Sequence, residues 1–123
     1  MIVLGIDPGL KGGWAVVEDG KYVEGGRMPV LKLGRRYIID APALHDALGG
    51  QLAFDHCVSE LVGAFPGQGR SSSFTFGHAT GSASAVGAIL SQHSHWVTPQ
   101  KWKRWHQLLK TSKRGSLDRC AKL

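Results

Sequence analysis

The chain has 123 residues, enough to bury one real core and too few for two full lobes, so a single domain over 1–123 is expected. Its formal net charge is +6, and its two cysteines, Cys57 and Cys120, lie far apart, which argues against a disulfide framework or a cysteine-based zinc site. No apolar run nears the roughly 18 residues of a membrane span, and the first residues already read as strand, so neither a span nor a signal peptide is expected and a soluble, cytoplasmic protein follows.

Ile2-Val3-Leu4-Gly5-Ile6 reads as a buried strand ending on Asp7, with a tight Gly/Pro turn and a returning strand over Trp14 to Val17. Asp7 is thereby lifted to the rim of a sheet. Two readings of it stand: a cap on the Pro8-Gly9 turn, or an anion beside an apolar wall that is paired or metal-bound. Asp19-Gly20 is a two-residue turn signal, and Lys21 to Met28 is a third strand completing an antiparallel meander. Pro29 to Ile39 has no clear period, and Gly34-Arg35-Arg36 suggests an exposed basic loop. Asp40-Ala41-Pro42 is an N-cap followed by proline in the first turn, opening a short helix that stops at Gly49-Gly50.

Phe54 to Val62 is the fourth strand, and its alternation sets Val58, Glu60 and Val62 on one side and Cys57, Ser59 and Leu61 on the other. If a helical crossover lays this strand beside the first, backbones only about 4.8 Å apart let Glu60 and Asp7 hold the same cation. The alternative for Glu60 is a strand end looking into solvent. Gly63 to Ser73 is a glycine-rich, basic loop; its spacing is not that of a phosphate-cradling G-x-x-x-x-G-K-[ST] loop, and it fits either a backbone-contacting loop or a plain surface loop.

Phe74 to Gln92 reads as a helix with a small-residue stripe, Gly77, Gly81 and Ala85. Mid-helix glycines cost about 1 kcal/mol each, so the sheet or a second copy of the helix is expected to approach there. His95 to Thr98 is a short fifth strand. Gln100 to Lys110 is a helix with Trp102, Trp105, His106 and Leu109 on one stripe, a core stripe or a stacking platform. The six histidines suggest no metal set: His93 and His95 flank Ser94 without a third ligand placed near them by the sequence, and read as surface or packing residues.

Charge divides the chain. Residues 1–61 sum to about −2 and 62–123 to about +8, and Lys101 to Lys122 carries eight cations against Asp118 alone. Such a run is either solvated helix surface or a partner for nucleic-acid phosphates.

Together, Gly5-Ile6-Asp7-Pro8-Gly9, Ser59-Glu60, Pro66-Gly67-Gln68-Gly69, Ser73-Phe74-x-Phe76-Gly77-x-x-x-Gly81, Val97-x-Pro99-x-x-Trp102-Lys103 and the basic Lys110 to Arg114 segment resemble the RuvC-type Holliday junction resolvases, and more closely their short phage-type members, within the RNase H-like superfamily. Sugar-kinase and actin-like ATPases also open on a Gly-x-Asp-x-Gly hairpin but need a second lobe, so a nucleotide cofactor is not expected.

The resemblance implies an α/β fold, a five-stranded mixed sheet of three antiparallel strands and then two parallel ones, flanked by helices. It implies Asp7 and Glu60 as ligands for Mg2+ or Mn2+, Lys113 or its neighbour Lys110 as a cation near the scissile phosphate, and a homodimer acting on a four-way junction. The DNA contacts expected are Lys11, Gln68, Arg70, Ser72, Lys101, Lys103, Arg104, Lys110 and Arg114, in a bacterial or phage-encoded protein of the host cytoplasm. Family members continue into a helical stretch with one or two further Asp; the sequence to Leu123 has none at that place, and Asp118 reads as helix-dipole stabilisation. The expectation is therefore branched-DNA binding with poor cleavage unless residues beyond position 123 add carboxylates. The alternative is a non-catalytic branched-DNA binder of the same fold.

Overall fold

The computed structural model describes residues 1–109 and 114–115. The first hairpin folds β1 (Ile2–Asp7) against β2 (Gly13–Glu18), antiparallel, with Leu4 opposite Val16 and Asp7 opposite Gly13. Pro8 is fully buried beneath the turn, and the Gly12 N–H donates to the Gly9 carbonyl at 2.9 Å. Gly12 has no room for a side chain: a Cβ there would lie 2.9 Å from the carbonyl carbon of Asp7. Asp19 and Gly20, both at positive φ, turn the chain into β3 (Lys21–Arg27).

The stretch expected as a basic loop is a second hairpin, β4 (Val30–Leu33) and β5 (Arg36–Ile39), a two-stranded sheet of its own. Gly34 at φ +58 supplies the left-handed turn, and Lys32 pairs with Tyr37, its ammonium 5.9 Å from the ring centroid. Most of the hairpin is exposed, so neither face had to be kept apolar and the period-2 signal is weak. α1 (Ala41–Ala47) follows as expected: the Asp40 carboxylate accepts the Ala43 N–H at 3.0 Å, and Gly49 and Gly50 end it at φ +84 and +65.

β6 (Phe54–Glu60) lies parallel to β1, and β7 (Ser91–Val97) parallel to β6, so the larger sheet runs β3-β2-β1-β6-β7. This is the expected mixed order, three antiparallel strands and then two parallel ones. Between β6 and β7 runs α2 (Arg70–Ile89), which starts four residues before the expected Phe74 because Gly69 serves as its N-cap. It ends at Ile89 because β7 claims Ser91 onward, which also places His93 inside the strand.

The face that α2 lays on the sheet is Ala79, Ala83 and Gly87, not the expected Gly77, Gly81 and Ala85, which meet water. The close approach is at Gly87, where a Cβ would overlap Ile6 and come within 2.7 Å of the Cys57 sulfur. Leu4, Ile6, Cys57, Ala79, Ala83 and Leu90 form the core there, in one cluster with Ile39 of β5, Leu44 of α1 and Leu48 at its C-cap. Burial pushes the Cys57 thiol pKa up, which keeps it a protonated packing residue. Cys120 lies outside the described residues. α3 (Pro99–Trp105) follows β7 and ends before the expected Gln100 to Lys110 does. No helix among the described residues is long and apolar enough to cross a membrane.

Candidate functional site

Strand alternation decides what reaches the open side of the sheet. Leu4, Ile6, Cys57 and Ser59 turn under α2 and are buried, so Gly5, Asp7, Val58 and Glu60 belong to the opposite face. The parallel register runs from Val3 opposite His56 to Ile6 opposite Ser59. One residue further, Asp7 and Glu60 come level at the ends of adjacent strands, on backbones about 4.8 Å apart. Both line one cavity of about 480 Å³, with Val58 and Val97 from the sheet and Trp102, Trp105 and His106 from the α3 region. Asp7 is exposed and Glu60 half-buried.

Thr98 and Pro99 set the start of α3. The Thr98 hydroxyl accepts the Lys101 N–H at 3.3 Å, and proline fits the first turn. One turn later Trp102 stands over the end of β6, and its indole Nε1–H donates to Oε1 of Glu60 at 2.7 Å. Neither a plain core role nor a plain stacking platform describes Trp102. Trp105, by contrast, is 62% exposed, and the Lys101 ammonium sits 5.2 Å from its ring centroid. Lys103 lies 5.5 Å from the Trp102 ring.

As a donor set, two carboxylates suit a hard divalent cation. Among the described residues, the Asp7 carboxylate and Oε2 of Glu60 have no hydrogen-bond partner, which leaves them open as ligands. No three His, Cys, Asp or Glu side chains among the described residues are arranged to hold a metal ion. A cation here would take two protein carboxylates and complete its shell with water or phosphate oxygens, as Mg2+ does.

The loop after β6 is held by its own side chains. The Phe65 N–H donates to Oε1 of Gln68 at 3.1 Å, and Nε2 of Gln68 donates to the Ser72 hydroxyl at 3.1 Å. Gln68 and Ser72 thus fasten the loop to the first turn of α2. With Lys11 from the first hairpin they line a second cavity of about 760 Å³. Arg70 is exposed at the start of α2, whose first N–H groups receive no side-chain cap. Lys101, Arg104 and Arg114 are exposed and Lys103 half-buried; Lys110 and Lys113 lie outside the described residues.

As expected, the histidines form no metal-holding set among the described residues, and His93 and His95 are exposed. His93 and His95 do acquire a third neighbour, His56 of β6, whose Nδ1 lies 3.0 Å from Nε2 of His95 and whose ring centroid is 5.3 Å from that of His93. Sequence distance hid the group: His56 precedes its partners by nearly forty residues and meets them only through β6–β7 pairing. The Trp102 contact to Glu60 was hidden for the same reason.

No protein-family model matches the chain, and neither does any curated protein. Solved structures do match. Thermus thermophilus RuvC in complex with a Holliday junction substrate is 20% identical, with a TM-score of 0.58, over 85% of this chain and 68% of that one. A further structure of T. thermophilus RuvC is 19% identical, with a TM-score of 0.58, over 93% of this chain and 74% of that one.

Proposed function

On the RuvC-like, RNase H-like fold that this chain adopts, we propose that it binds four-way or otherwise branched DNA and that Asp7 and Glu60 hold Mg2+ or Mn2+ for phosphodiester hydrolysis. The observation that carries the reading is the pair of acids, brought level on adjacent parallel strands at the mouth of one cavity. When bound, a divalent cation there supplies the positive charge that activates water and stabilises the leaving oxygen.

The chain's own residues do the rest. Lys11, Arg70 and the uncapped amides of α2 receive backbone phosphates, as do Lys101, Lys103 and Arg104 of α3. By the resemblance drawn from the sequence, Lys113 or its sequence neighbour Lys110 supplies a cation near the scissile phosphate, and Arg114 a contact to DNA. Gln68 and Ser72 hold the loop's shape where the phosphate chain passes. A second copy belongs to the reading, because a four-way junction offers two strands to cut and α2 turns Phe74, Ile89 and the Gly77, Gly81, Ala85 strip to solvent.

Two-metal hydrolysis ordinarily draws on three or four carboxylates, and two are identified here. That favours a second reading, a branched-DNA binder that does not cut, supported by the lack, among the described residues, of three such donors arranged to hold a metal ion. One experiment separates them: junction binding and Mg2+-dependent nicking of a synthetic four-way junction, for the wild type and for Asp7→Asn with Glu60→Gln. The nuclease reading expects salt-sensitive binding in both and nicking in the wild type alone, with a loss of roughly a thousandfold or more. Binding by both with nicking by neither selects the binder. No preference for branched over duplex DNA overturns both.

A further inference from the structure

We infer that Trp102 is a positioning residue of the metal centre, and that by occupying one oxygen of Glu60 it makes the site selective for small octahedral cations over Ca2+. This inference rests on the metal-site reading of Asp7 and Glu60 given above. Glu60 ends its strand, and its carboxylate sits three rotatable bonds from the backbone. Without a partner it would sample many positions at the cavity mouth. The Trp102 indole removes that freedom through a 2.7 Å hydrogen bond to Oε1, short as expected for a donor facing an anion.

The indole N–H donates and cannot accept, and Trp102 is half-buried against an apolar floor, so it needs an acceptor and Glu60 is the one it has. The ring itself is steadied by Lys103, 5.5 Å from its centroid, and by its place one turn into a helix capped by Thr98.

Selectivity follows from which oxygen remains. With one lone pair of Oε1 taken by the indole, Oε2 is the oxygen of Glu60 left wholly open to a cation, and a grip through both oxygens must compete with that hydrogen bond. Mg2+ and Mn2+ suit single carboxylate oxygens in an octahedral shell, whereas Ca2+ is larger and readily takes both oxygens of one carboxylate. Trp102 thus opposes the two-oxygen grip that would favour Ca2+.

The test is metal binding without DNA. Mn2+ and Ca2+ are titrated calorimetrically into the wild type, Trp102→Phe, and Trp96→Phe as a control at an exposed tryptophan outside this cavity. Trp102→Phe keeps a ring in place and deletes the N–H. It is expected to bind Mn2+ roughly tenfold more weakly, as loss of a partner that orients a metal ligand usually does, and to lower the Mn2+-to-Ca2+ affinity ratio. Trp96→Phe is expected to match the wild type. An unchanged affinity and ratio in Trp102→Phe overturns the inference while the site survives, provided Asp7→Asn and Glu60→Gln still abolish binding. Mn2+ binding that is absent, or indifferent to those two acids, overturns the site reading and the inference with it. A second measurement needs no tryptophan variant: the Trp102 indole N–H resonance of the wild type should move on Mg2+ addition with the affinity of the site. A stationary resonance overturns the inference.

Discussion

The two faces of the main sheet are built from alternate residues of the same strands, yet they answer to different demands. Toward α2 point Leu4, Ile6, Cys57 and Ser59, all buried, against a helix stripped to Ala79, Ala83 and Gly87 so that it can lie close. Away from α2 lie Gly5, Asp7, Val58 and Glu60, where two acids of like charge stand level with a tryptophan hydrogen-bonded to one of them. The first face is close-packed and should be intolerant of added volume. The second sets two like charges side by side, an arrangement that packing alone does not call for. A change of one residue along a strand therefore crosses from the packed core to the proposed site.

The sharpest way to break this contrast is at Gly87. Gly87→Val puts a β-branched side chain where even a Cβ overlaps Ile6 and Cys57, and should cost about 3 kcal/mol or more in urea unfolding. A small loss would mean that α2 sits more loosely on the sheet than the contrast requires. Next, removing the cations of α3 together, Lys101, Lys103 and Arg104 to Ala, should leave unfolding nearly unchanged while weakening junction binding. The slope of log affinity against log salt should become shallower by about one unit for each phosphate no longer neutralised. An unchanged slope would assign those cations to ordinary solvated surface. The smallest effect on stability is expected at the acids themselves. Asp7→Asn with Glu60→Gln relieves repulsion between neighbouring carboxylates, so thermal unfolding should show stability equal to the wild type or higher by up to about 1 kcal/mol. A clear loss of stability would make the pair structural.

The hairpin carrying Asp7, α1 and the strand ending in Glu60 were legible because each is written locally: an apolar run into Pro8-Gly9, an Asp40 cap ahead of Pro42, an alternating run over Phe54 to Glu60. The approach of Asp7 and Glu60 was legible only on the condition that a crossover lays β6 beside β1, which the parallel register then meets. The β4–β5 hairpin was not legible, because an exposed two-stranded sheet sets no apolar alternation. Nor was the orientation of α2. It has small residues on both sides, and Gly77, Gly81, Ala85 look like a packing strip until Gly87 is seen against Cys57. Trp102 on Glu60 joins residues forty-two positions apart through a side-chain rotamer, which no periodicity records.

The turn at Gly12 has a consequence for variation. Any side chain at that position collides with the carbonyl of Asp7, the residue on which the proposed chemistry begins. The backbone there has no slack to yield, with Pro8 wedged beneath it and the Met28 N–H fastened to the Gly12 carbonyl at 3.0 Å. Drift at position 12 and loss of the carboxylate's aim would be a single event, so a randomised library selected for activity would return only glycine there.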